Sequence, residues 1–167
     1  MRGTTGWTMV AALAALLGGC GEKPKEQPDQ GASSGAAMAP ESPPGITVSD
    51  ARVQLPVVSG RPGVAYFTVA QASGAPRAVA KVDVAMSGRA EIHQSGKQEM
   101  KPVASVPLEP GKAVRFAPGG YHVMLFELDP RLRFAKDTQL TVTFDNGDKA
   151  TADAAVSTVA ESAEQAP

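Results

Sequence analysis

Residues 138–148 read Thr-Gln-Leu-Thr-Val-Thr-Phe-Asp-Asn-Gly-Asp. Leu140, Val142 and Phe144 alternate with Gln139, Thr141 and Thr143. Successive side chains of a β-strand point to opposite faces, so the alternation describes a strand with one buried and one wetted face. Asp145-Asn146-Gly147-Asp148 follows, and Asn-Gly suits a type I′ turn. The stretch therefore predicts a hairpin joining a strand over 138–145 to a last strand over 149–157. Back from this hairpin, as far as Ile46, short runs rich in Val, Ile, Phe, Tyr and Thr recur. They predict strands near 46–54, 63–71, 77–86, 89–94, 98–106, 112–117 and 121–128. The intervening turn signals include Ser73-Gly74-Ala75-Pro76, Ser87-Gly88, Ser95-Gly96, Glu109-Pro110-Gly111 and Pro118-Gly119-Gly120. Nine short strands in roughly 110 residues predict an all-β fold, a β-sandwich.

The chain has 167 residues, enough for one such domain with appendages. Arg2 precedes an uncharged apolar run over residues 7–17, too short to span a bilayer and of the length of a signal h-region. It ends in Leu17-Gly18-Gly19-Cys20, which resembles a bacterial lipobox. That resemblance implies cleavage before Cys20 and acylation of its thiol; the alternative is an ordinary secretory signal with a stray thiol. Residues 21–45, rich in Gly, Pro, Ala, Ser and Gln and without periodicity, read as a disordered tether. The expected organisation is a lipoprotein signal peptide over 1–19, a lipidated Cys20 and linker over 20–45, a β-domain over 46–157 and a flexible tail over 158–167. The expected location is the periplasm or cell envelope, anchored to a membrane.

Sixteen basic and 17 acidic residues leave a net charge of −1. The basic residues of the domain, such as Lys97, Lys101, Arg131 and Arg133, are scattered, which argues against nucleic acid as a partner. Cys20 is the only cysteine, so once it is acylated the chain has no thiolate for disulfide exchange or for a blue-copper centre. Nothing in the spacing of Ser, His and Asp singles out a catalytic triad, and the chain is expected not to be an enzyme.

His93 and His122 are the only histidines. On the strand 121–128, His122 and Met124 share a face. Met100 lies upstream, with 21 residues before His122. An even-length loop at Ser95-Gly96 would put His93 on the same face as Met100, directly opposite or diagonal; an odd-length loop would separate them. Two thioethers and two imidazoles brought together form a soft, neutral donor set that favours Cu(I). The plainer alternative is that the methionines fill core and the histidines are hydrogen-bonded core residues. Met86, at a strand end, reads as core or rim, and Met38 falls in the tether.

Residues 90–128, AEIHQSGKQEMKPVASVPLEPGKAVRFAPGGYHVMLFEL, resemble the PCu(A)C family of periplasmic copper chaperones. That family carries the pattern His-x10-Met-x21-His-x-Met. Met100, the 21-residue spacing, His122 and Met124 match it, as do the flanks Met100-Lys101-Pro102-Val103 and Pro118-Gly119-Gly120-Tyr121. Gly63 to Val69 is a weaker match. His93 precedes Met100 by six intervening residues rather than ten, a shortening that preserves strand parity. The His- and Met-rich C-terminal tail of some members is absent. The resemblance implies a cupredoxin-like β-sandwich, with His93, Met100, His122 and Met124 holding Cu(I) and His93 contributing least. It implies a monomeric carrier that hands copper to an accepting protein, notably cytochrome c oxidase or its assembly factors. The competing reading is an envelope lipoprotein without metal, acting as a structural or protein-interaction module.

Overall fold

The computed structural model describes residues 41–96 and 99–158. The expected signal peptide, Cys20, most of the linker and the last nine residues lie outside them. Ten strands form in chain order: β1 (Ile46–Leu55), β2 (Gly63–Gln71), β3 (Arg77–Val84), β4 (Ser87–Ser95), β5 (Met100–Pro102), β6 (Val106–Leu108), β7 (Lys112–Phe116), β8 (Tyr121–Leu128), β9 (Asp137–Phe144) and β10 (Lys149–Thr158). A single 3-10 turn, Pro130–Phe134, links β8 to β9. The strands run β5-β4-β8-β7-β2-β1-β10-β9-β3-β6 in one sheet, with β8 also paired to β2. The sheet curls so that its two halves face each other. Phe67, Phe116, Val123 and Leu125 of one half share a core with Val53, Val82, Leu140, Val142 and Phe144 of the other. This is the all-β sandwich expected.

Strict alternation builds the core. Along β2 every odd-numbered position is buried and every even one half-buried. On β9, Leu140, Val142 and Phe144 are buried as expected. The Phe67 and Phe116 rings, opposite each other on β2 and β7, stack at 4.2 Å between centroids. Met86, at the turn before β4, packs against the core rim.

Three local expectations are corrected. The single strand expected over 98–106 is two short ones: β5 pairs with β4 at one edge of the sheet and β6 with β3 at the other. β5 ends at Pro102, and residues 103–105 carry the chain across to β6. The turn expected at Ser87-Gly88 falls instead at Ala85-Met86, with Met86 at φ 67°, and Gly88 lies inside β4. A Cβ there would come within 2.9 Å of Glu127 Cβ, so the close approach of β8 requires glycine. Finally, the β9–β10 hairpin is not type I′. Gly147 has φ 87° while Asn146 is not left-handed, and Phe144 pairs with Asp148 across a three-residue loop.

Glu41 exchanges backbone and hydroxyl hydrogen bonds with Thr151 on β10, so regular contacts begin before Ile46.

Candidate metal centre

The β4–β8 ladder sets the site. Ile92 and Val123 face each other and point into the core, so their neighbours His93 and His122, also a register pair, point to the outer face. The next pair on that face is Glu91 opposite Met124, and the next Arg89 opposite Phe126. Beyond β4, edge strand β5 pairs Ser95 with Met100 and His93 with Pro102. The hairpin loop is therefore of even length, and Met100 lies diagonally from His93 on the same face. The four residues expected to gather all lie on one outer surface of the sheet.

His122 is 5% exposed although it faces outward. Its Nδ1–H donates to the Gly120 carbonyl at 3.1 Å, which also accepts the Ser95 N–H at 3.0 Å. Gly119, at φ 80°, turns the chain so that this carbonyl points back at the ring. With the proton on Nδ1, Nε2 carries a lone pair, and Met100 Sδ stands 3.2 Å from it. A thioether sulfur offers only lone pairs. Two electron donors thus face each other with no proton of either between them, an arrangement that a soft cation resolves. Met100 itself is 59% exposed.

The His93 ring lies 6.0 Å from that of His122, tilted by 34°. Its Nε2–H donates to Glu91 Oε2 at 3.2 Å, and its Nδ1 is buried with no hydrogen-bond partner. Met124, half-buried, lies between Glu91 of β4 and Val64 of β2. Sequence reasoning missed Glu91. Its signal was parity: Glu91-x-His93 puts both side chains on one face of a strand.

Among the described residues no three His, Cys, Asp or Glu side chains group so as to hold a metal ion. A cavity of about 370 Å³ lined by Leu55, Arg61, Glu127, Leu132 and Arg133 lies at the other end of β8, away from His122.

A family model for putative LpqE-like lipoproteins matches residues 46–156, β1 to β10. The chain belongs to the LpqE-like family. Solved structures share its fold. A copper-bound PCuAC domain from PmoF2 superposes with a TM-score of 0.60 at 21% identity, over 72% of this chain and 99% of that one. An apo PCuAC domain from PmoF1 gives 0.59 at 22% identity, over 71% and 98%. Apo-DR1885 from Deinococcus radiodurans, solved in solution, gives 0.55 at 19% identity, over 90% and 97%. No curated protein matches the chain. The expected PCu(A)C resemblance thus holds in the fold of this LpqE-like domain. Among its described residues no helix is long and apolar enough to cross a membrane.

Proposed function

We propose that this LpqE-like protein is an extracytoplasmic Cu(I) carrier, with His93, Met100, His122 and Met124 as the ligands and copper as cargo. The observation that carries the reading is the His122–Met100 pair. Its nitrogen and sulfur lone pairs converge at 3.2 Å, and the other nitrogen of the same ring is fixed by Gly120. Imidazole and thioether donors suit Cu(I) and are neutral, so bound copper keeps its charge and stays exchangeable. Met100 sits on a three-residue edge strand and is largely exposed, so a thioether or thiolate of an accepting protein can replace it first. Copper then leaves by stepwise ligand exchange, without catalysis. The copper-bound PCuAC neighbour supports the reading through fold. The acceptor we propose is a cytochrome c oxidase copper centre or one of its assembly factors, with the carrier held to the membrane through acylated Cys20.

X-ray absorption of the Cu(I)-loaded protein tests the site. Nitrogen and sulfur scatterers together are expected, and a shell of oxygen and nitrogen alone would overturn it. Substitution Cys20→Ser tests the anchor: the protein should move to the soluble fraction, and unchanged membrane attachment would exclude acylation.

A further inference from the structure

Beyond the four ligands, the outer face of the β4–β8 ladder carries a connected set of side chains. The Arg89 guanidinium lies 4.1 Å over the Phe126 ring, its cross-strand partner. The same Arg89 is ion-paired with Glu91 Oε1. Glu91 Oε2, the remaining oxygen, accepts the Nε2–H of His93 at 3.2 Å. A carboxylate only accepts hydrogen bonds, so this contact places the imidazole proton on Nε2. His93 Nδ1 is then an unprotonated lone pair, buried and without a partner. A buried acceptor left unsatisfied costs free energy unless something else occupies it.

We infer that Glu91 is a positioning residue for copper binding. It holds His93 as the Nε2–H tautomer, so that Nδ1 is the nitrogen offered to the metal, and Arg89 clamped on Phe126 holds Glu91 in turn. This rests on the copper reading above and deepens it. The two histidines consequently present different nitrogens: Nε2 for His122, whose Nδ1–H is bound by Gly120, and Nδ1 for His93. The hairpin is four residues shorter than the family pattern, and His93 lies straight across from His122 rather than from Met100. A metal-ligating imidazole whose other nitrogen donates to a carboxylate is fixed in ring orientation and is a stronger electron donor. A Glu-x-His pair on one strand achieves this here without a residue from another element.

Two measurements on the full chain test it. The first uses the copper-free, 15N-labelled protein, with long-range 1H–15N correlations at mildly alkaline pH. In the parent, His93 should carry its proton on Nε2 and His122 on Nδ1. Glu91→Gln, whose amide oxygen still accepts, should keep the His93 pattern, and Glu91→Ala should shift it to a mixture. The second is competition for Cu(I) against a chelator. Glu91→Ala should weaken binding about tenfold, the low end for a ligand's hydrogen-bond partner. Glu91→Gln should bind nearly as the parent does. In a His93→Ala background, Glu91→Ala should add nothing, because Glu91 acts through His93. An unchanged His93 tautomer in Glu91→Ala would overturn the inference. So would an equal loss with and without His93. Failure of the copper reading itself is visible separately, as absence of Cu(I) binding by the parent while its tautomers still respond to Glu91; that result would overturn the metal role given to Glu91.

Discussion

Met100 Sδ stands 3.2 Å from His122 Nε2, although the two residues are 22 apart in the chain. Two ladders produce the contact. β4 pairs with β8 on one side and with β5 on the other, so His122 and Met100 flank the same strand. His93 on β4 lies across from His122 and diagonal to Met100. The outward side chains of three adjacent strands thus converge on one patch.

Each ligand substitution should weaken Cu(I) binding. Met100→Ala and His122→Ala remove the facing pair and should each cost at least about tenfold in dissociation constant, ~1.4 kcal/mol. Met124→Ala should also weaken binding, and by more than His93→Ala. Competition titration with circular dichroism as a folding control reads this directly. A folded Met124→Ala that binds like the parent would remove Met124 from the set.

Copper affinity should fall on acidification. An imidazole must be neutral to ligate, and a thioether does not titrate in water, so protons compete only at His93 and His122. With no thiolate among the proposed ligands, affinity should level off at alkaline pH instead of tightening further. A dissociation constant that is flat from neutral to mildly acidic pH would mean that neither histidine is a ligand.

Asp129 gives the fold an acid-sensitive point. Its side chain accepts from the Arg131 guanidinium and from the Arg131 backbone N–H, capping the 3-10 turn. These hydrogen bonds, the guanidinium's first, pull its pKa down to about 2. An unfolded Asp titrates near ~3.9. The folded value is the lower one, so the stabilisation is complete above the unfolded value and is lost as pH falls through about 2. Asp129→Asn should flatten stability against pH across that window by lowering stability at neutral pH towards the acid-side value. Denaturant titrations at acidic pH would show it, and an identical acid limb would refute it.

The Phe67–Phe116 stack should dominate core stability on the site's half of the sheet. Both rings are fully buried, and β2, which carries Phe67, also pairs with β8. Phe67→Ala should cost about 3–5 kcal/mol of unfolding free energy. It should also lower copper affinity if it loosens β8. Chemical denaturation measures the first effect, and a loss below about 1 kcal/mol would mean the site collapses around the missing ring.

The sequence by itself determined what depends on neighbours along the chain. Alternation of buried and wetted residues marked β9 and β2, and Gly/Pro punctuation separated most of the strands. Resemblance to the PCu(A)C motif marked Met100, His122 and Met124, and parity allowed His93 to join them. Only the tertiary structure decided the rest, because it depends on contacts between distant segments. Whether the β4–β5 loop has even length was open in the sequence, and the register Ser95 to Met100 decided it. Residues 98–106 looked like one strand because composition does not say which edge a segment pairs with; β5 and β6 lie at opposite edges. Asn-Gly predicted a type I′ turn, but the pairing of β9 with β10 left only Gly147 in the left-handed region. The tautomers of the two histidines were not legible at all. They are set by Gly120 and Glu91, each only two residues away in sequence, but which nitrogen each one takes depends on where the backbone of the folded sheet aims the ring.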